Sequence, residues 1–391
     1  MASLFNFSRN NKKVETNIQQ EKKEEFVSSV NMTAGKDQFE FQPYVNPLVK
    51  VFGVYVNGTN NLFPNYINYI RTKSPLHSRI LTFKRLLTVS NGYTIDDSLL
   101  DVNQKISLKQ LTNQIDKCID QVGDNYFASS NVYIKVTWNS NNTKIIKIES
   151  IPHEKIRVKE VDQYYNPLEY EYCFDWANVS RFPRHTIAKF DQKNKECKEQ
   201  LFHFEIKSDG QIIYNRPEWF AAMDWIEQNG MMGEYHTANM TNSVNPSGLI
   251  EFFKKPANKE EEWRILNDIN ASFAGARKAG RLMAIFNKDT DSAAKYTPLD
   301  ANKLDKTFIV LSDTIQREIC YAHGIDPQIL GLKTPSALGN SVSLPEAFKI
   351  FNYSSIRPAQ KDIEQVFNMF FAINGLPVKM QLNTATNLFE I

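Results

Sequence analysis

A chain of 391 residues, 42% hydrophobic and 23% charged, carries enough apolar material for a sizeable core; this excludes wholesale disorder and fibrous repeats. Its length predicts at least two packing units, or one domain with a long excursion. With 46 Lys and Arg against 44 Asp and Glu, the formal charge of +2 argues against nonspecific coating of nucleic acid.

Residues 1–44 are polar and charged, with the run Glu21-Lys22-Lys23-Glu24-Glu25 and no sustained apolar period, and they read as a flexible arm. No signal-peptide apolar region is expected there, and nowhere does the chain reach the ~20 apolar residues of a membrane span. Ser74 followed by Pro75 predicts a helix start, with Leu76, Ile80, Phe83 and Leu87 at helical spacing. Ser107 is expected to cap a second helix through Leu111, Ile115, Cys118, Ile119 and Val122. Short alternating runs at 132–136, 144–148, 155–158, 170–172 and 201–204, divided by Asn, Asp and Gly, predict strands of a mixed α/β unit, and Gly210 to Tyr214 predicts a further one.

Beyond Pro217 the spacing of Trp219, Met223, Ile226, Met231 and Tyr235 predicts a long helix weakened by Gly230 and Gly233. A small β-α-β unit follows: a strand from Gly248 to Phe253, a helix capped by Asn258 with Trp263, Leu266, Ile269 and Phe273 on one face, and a strand from Leu282 to Phe286. The series Leu304, Phe308, Leu311, Ile315, Ile319 and Ala322 predicts a further helix ending at Gly324 and Pro327. Residues 325–342 form a loop punctuated by Gly and Pro, longer than a turn needs. Ser343 and Glu346 then open a helix that runs to Gly375 and is expected to kink at Pro358, which lacks a backbone donor.

The common chemical signatures are missing: no phosphate-binding Gly-rich loop, nucleophile elbow, H-E-x-x-H or EF-hand loop occurs. Cys118, Cys173, Cys197 and Cys320 show no C-x-x-C spacing and read as reduced thiols. His77, His153, His185, His203, His236 and His323 stand alone, as surface or satisfied core residues rather than metal ligands, and no metal or cofactor is expected. Asp96-Asp97, Asp289 with Asp291, and Glu260-Glu261-Glu262 read as turn or helix-start carboxylates. The basic groups Arg181, Arg184 and Lys189, and Arg277, Lys278 and Arg281, could contact phosphate or form solvated faces. Phe367, Phe370 and Phe371 suit a core or subunit interface.

The order of these units, with Lys73-Ser-Pro-Leu-His77, Pro217-Glu-Trp219, Asn245-Pro-Ser-Gly-Leu-Ile250, Gly275-Ala-Arg-Lys-Ala-Gly-Arg281, Gly324-Ile-Asp-Pro327, Leu330-Gly331 and Ile356-Arg-Pro358 to Ile363-Glu364, resembles the portal proteins of tailed bacteriophages over roughly residues 45–375. The resemblance implies an α+β portal-like fold: a mixed α/β wing at 45–215, stem helices at 216–246 and 290–324, and a β-α-β clip at 247–289. It further implies a tunnel loop at 325–342, a Pro-kinked tunnel helix at 343–376 returning to the wing, and a tail at 377–391 with the crown reduced or absent.

It also implies a non-enzymatic ring, typically of twelve copies, at one capsid vertex of the virion, assembled in the host bacterial cytoplasm. Double-stranded DNA passes through such a ring, and its partners are the major capsid protein and scaffold, the terminase large subunit during packaging and a head-tail adaptor afterwards. Lys333, Thr334, Ser336 and Asn340 are the loop residues expected to face DNA. Glu260, Glu261, Arg277, Lys278 and Arg281 are those expected to dock a partner, and Pro358 marks the helix kink. The competing readings are a monomeric binding module and a metal-dependent nuclease.

Overall fold

The protein is described by a computed structural model over residues 48–194, 196–206, 213–242, 246–252, 258–261, 263–265, 267, 281–286, 295–298, 302–332 and 343–384. It begins with a tight hairpin in which β1 (Lys50–Val51) and β2 (Val54–Tyr55) pair antiparallel across Phe52 and Gly53, at φ of 54° and 81°. Two left-handed central residues give the turn the twist its strands require, and only the glycine adopts that conformation freely.

Helix α1 (Phe63–Lys73), unexpected from the sequence, abuts α2 (Pro75–Val89) at Ser74. The Ser74 backbone N–H donates to the Ile70 carbonyl and its Oγ accepts from the His77 N–H, so one residue ends the first helix and caps the second. After β3 (Tyr93–Ile95) comes α3 (Val102–Ser129), which corrects the expected start at Ser107. Asp101 is the cap, and it exchanges reciprocal hydrogen bonds with Gln104 at 2.7 and 3.1 Å. Val102 and Ile106 are exposed, so the first turns bury little and give no apolar period to read.

Six strands follow: β4 (Asn131–Trp138), β5 (Ile145–Ile151), β6 (Ile156–Val161), β7 (Pro167–Cys173), β8 (Arg184–Lys189) and β9 (Glu199–Glu205). They form one sheet in the order β5-β4-β9-β8-β7-β6, in which only the β8–β9 pair is parallel. Consecutive strands β5 and β6 thus occupy opposite edges. A flat sheet would separate those edges by about 24 Å at ~4.8 Å per strand. The link from Ile151 to Ile156 reaches at most about 18 Å, so the sheet must roll. Tyr133, Ile151, Ile156, Val158, Tyr170, Ile187 and Leu201, one or more from every strand, pack together in a single buried cluster inside the roll.

Ile213 and Tyr214, expected in a strand, form a bend instead. Both are buried in the same cluster, and the Tyr214 hydroxyl accepts from the Val158 N–H while donating to the Tyr55 carbonyl. The other face of the sheet meets helices: Phe204 stacks on Tyr126 of α3, and Phe202 meets Phe370 edge-on.

A 3₁₀ turn (Glu218–Ala222) leads into α4 (Met223–Asn242). Strands β10 (Pro246–Phe252) and β11 (Arg281–Phe286) are parallel, and the described residues 259–261 and 263–265 between them are helical. A third strand, β12 (Lys295–Pro298), pairs antiparallel with β10. It falls where the sequence reading already placed the second long helix. That helix, α5 (Asn302–Ala322), starts at residue 302 rather than 290 and ends with Gly324 at φ 61°.

The last long helix is built in two parts, α6 (Leu344–Phe351) and α7 (Arg357–Ile373), joined by a π-helical turn at Asn352–Ile356. The Arg357 N–H donates to the Asn352 carbonyl, five residues back. Pro358 therefore lies in the first turn of α7, where its missing donor costs little, rather than inside an α-helix that it must break. At the far end the Asn374 amide clamps Ile145 of β5, accepting from its N–H at 2.7 Å and donating to its carbonyl at 2.9 Å. Residues 377–391, expected to be a plain tail, contribute β13 (Met380–Leu382), whose outer residues are buried and which pairs with β3.

Candidate functional site

The residues singled out from the sequence do not form one cluster among the described residues. Lys333, Thr334, Ser336, Asn340, Arg277 and Lys278 lie outside the described residues. Glu260 is exposed in the helical turn after Asn258, and the Glu261 N–H donates to Asn258 Oδ1 at 2.8 Å, as the capping pattern requires. Arg281 opens β11 in register with Pro246. Of the basic group in the sheet, Arg184 pairs with Glu171 at 3.2 Å, and Arg181 and Lys189 are exposed. No group of three His, Cys, Asp or Glu among the described residues could hold a metal. The four cysteines are free thiols.

What the fold does assemble is a buried polar junction where α2, the 3₁₀ turn before α4 and the end of α5 meet. His77 Nδ1 lies 2.9 Å from His323 Nε2, a contact between residues 246 positions apart. Trp219, fully buried, presents its ring to His77 at 4.4 Å between centroids and donates from Nε1 to the Phe127 carbonyl of α3 at 3.0 Å. Two turns along α2 from His77, Lys84 is also fully buried, its ammonium held by the Glu218 carboxylate and standing over the Phe127 ring. Ser74 Oγ ties α2 to α4 by donating to Asn229 Oδ1 at 2.8 Å.

Burial dominates the electrostatics. His77 is pushed down to about 3 by desolvation, aided by Arg71 and Lys84. His323 is driven well below its ordinary range by desolvation, then by Lys84 and His77. Lys84 is lowered by desolvation against the opposing pull of Glu218. The His77–His323 hydrogen bond therefore joins two neutral rings, one donating and one accepting. Sequence reasoning missed this site because it took each histidine singly, although the spacing 77, 80, 84 placed His77 and Lys84 on the buried face of α2.

A second buried cation, Arg157 on β6, sits at the hairpin end of the sheet. Its guanidinium donates to Asn61 Oδ1 (2.8 Å), the Asn61 carbonyl (2.7 Å), the Glu154 carbonyl (3.0 Å), the Ile156 carbonyl (2.8 Å) and Asn65 Oδ1 (3.5 Å), and it covers the Trp176 ring. This is a structural rivet: all its donors are engaged by backbone or amide oxygens, and none points to a ligand.

The sheet, its covering helices and the β10–β12 unit make up a mixed α+β chain. The family profile of phage portal proteins matches residues 117–388, and the chain belongs to that family. No curated protein sequence matches. Among solved structures, the chain resembles a chain in the virion of a native gene transfer agent particle (14% identity, TM-score 0.59, covering 84% of this chain and 85% of that one). It also resembles a chain in the neck of the native particle computed with C12 symmetry (16% identity, TM-score 0.57, 81% and 83% covered). A portal protein of the HK97 family from Corynebacterium diphtheriae aligns at 11% identity and TM-score 0.44, with 82% and 96% covered. At such identities the likeness is one of fold. The family is a structural one, and among the described residues no helix is long and apolar enough to cross a membrane.

Proposed function

We propose that this protein forms a closed ring at a single capsid vertex of a tailed phage or phage-like particle, and that double-stranded DNA enters and leaves through its channel. The observation that carries the reading is the family match, which runs from α3 through the sheet and both long-helix regions to β13. The solved necks that share its fold were computed with C6 or C12 symmetry, which supports a cyclic assembly.

The surface agrees with that reading. Ile309 and Val310 on α5 and Ile350 and Tyr353 on the final helix are 61–82% exposed. A head-to-tail ring covers two different faces of each subunit. In this reading, residues 45–215 are the wing, α4 and α5 the stem, the β10–β12 unit the clip, and α6 to α7 the tunnel helix. Lys333, Thr334, Ser336 and Asn340 are the loop groups facing DNA, while Glu260, Glu261, Arg277, Lys278 and Arg281 are the clip groups docking the terminase large subunit and later the head-tail adaptor. The near-neutral charge suits a conduit, since each phosphate held firmly would slow sliding as well as add affinity.

Mass measurement with electron microscopy of the purified chain tests the reading. Twelve copies give a ring of about 540 kDa with a central hole. A 45.1 kDa particle at all concentrations, with or without scaffold, counts against it. Replacing Lys333 by Glu should change packaging efficiency and leave the ring intact; loss of the ring would contradict the loop assignment.

A further inference from the structure

The junction of α2 with α5 has a property that assembly alone does not require. It is the one place among the described residues where two imidazoles, from distant parts of the chain, are hydrogen-bonded to each other in a buried interior. Each ring uses one nitrogen on the other. The outward nitrogens, His77 Nε2 and His323 Nδ1, are buried and have no hydrogen-bond partner among the described residues. Two protonated rings would present N–H to N–H across 2.9 Å, and a single added proton, which must go to an outward nitrogen, would leave a buried cation whose new N–H finds no acceptor among the described residues.

The surroundings allow no relief in the closed form. Arg71 opposes a further positive charge on His77 from α1, and Lys84 opposes one on either ring from α2. Glu218, in the turn before α4, is engaged by Lys84. Arg71 is itself paired with Asp124 of α3. The partner reaching in from α4, Asn229, is uncharged and bonded to Ser74.

The end of α5 is closed by its own cap, beyond which the chain leaves the helix axis. His323 follows the last helical residue, Gly324 adopts a left-handed φ, and the Ile325 N–H closes the helix on the Cys320 carbonyl. Displacing this terminal turn would expose both imidazoles to water, where each can take a proton.

We propose that the His77–His323 contact is an acid-released latch: with both rings neutral it clamps the end of α5 to α2, and proton uptake frees that end together with the 3₁₀ turn Pro327–Leu330 that follows. The released form accepts protons that the closed form refuses. The clamp is therefore at full strength above the ordinary histidine range near 6.5 and weakens as the pH falls below it.

Hydrogen exchange of the full-length assembly, corrected for intrinsic rates, tests this. Between about pH 8 and pH 5 the protection of residues 320–325 should fall about thirtyfold if one ring takes up a proton on opening, and about a thousandfold if both do. Residues 115–127 of α3, in the same molecules, should hold their protection, which separates local release from acid unfolding. His77→Gln with His323→Gln keeps hydrogen-bonding capacity without titration and should flatten the profile. A flat profile in the unaltered protein overturns the latch, whether or not the double variant folds, and so does an unchanged slope in a folded double variant.

Discussion

The Lys84–Glu218 pair is lopsided, and that asymmetry gives a sharp prediction. Lys84 is fully buried, whereas the Glu218 side chain is 51% exposed. Removing one partner of a wholly buried pair costs about 3–5 kcal/mol, because the other charge is stranded. Water reaching Glu218 screens the pair, so Glu218→Gln should cost about 1–2 kcal/mol. Lys84→Met strands nothing, because the carboxylate left behind can turn to solvent. It should change stability by less than about 1 kcal/mol, with the methionine filling the space of the lysine stem. In the Lys84→Met background, Glu218→Gln should then cost under about 0.5 kcal/mol.

The pH dependence follows from the lowered Lys84 value. Folded Lys84 binds its proton less tightly than the unfolded chain, whose ordinary value is 10.5, so its burdening of the fold is present at neutral pH and relieved as pH rises toward and past 10.5. Without Glu218 that relief should begin at lower pH. Urea unfolding followed by circular dichroism at matched chain concentration measures all of this. Equal costs of Glu218→Gln with and without Lys84, or a Lys84→Met penalty above that of Glu218→Gln, would refute the reasoning.

Two glycines of α4 should respond in opposite directions to alanine. A Cβ at Gly230 would meet Lys73 Cβ at 3.0 Å and its carbonyl oxygen at 3.3 Å, so Gly230→Ala should force α4 off α1 and destabilise by about 1–2 kcal/mol, whereas Gly233 has nothing within 4 Å and Gly233→Ala should stabilise by about 0.5–1 kcal/mol; thermal melts of the two variants decide it. Arg157→Met should cost about 3 kcal/mol or more, since the Asn61 and Glu154 carbonyls lose their buried donor, and urea midpoints would show it; a cost below ~1 kcal/mol would mean the guanidinium is not the rivet described.

Much of the fold was legible where local chemistry and tertiary packing agree. Ser74-Pro75 marks a helix start that the backbone confirms, and the spacing of four and three in α5 follows its buried face at Ile315 and Ile319. Legibility failed where local signals were absent. Helix α1 is preceded at its N-cap by Leu62, which offers no side-chain cap, and β8 buries only Ile187, so its strand character comes from the ladder with β7 rather than from alternation. Ile213 and Tyr214 are apolar enough to read as a strand, but Tyr214 is used for its hydroxyl, which bridges two segments from a bend. The candidate site divides in the same way. Periodicity puts His77 and Lys84 on a buried face, but nothing in a single sequence says that the ring waiting there belongs to residue 323.

The Asn374 clamp on Ile145 bears on how such chains survive being crowded together. Strand β5 is an edge of the sheet, and an unpaired edge is a template on which another chain can lay a strand. By seizing both backbone groups of Ile145, a single amide at the end of α7 occupies the first rung of that template with the chain's own atoms. In the folded chain the end of the final helix thus also covers part of the sheet edge. A chain cut short before Asn374 would leave that rung open, and its hazard would be aggregation between copies as much as loss of stability within one.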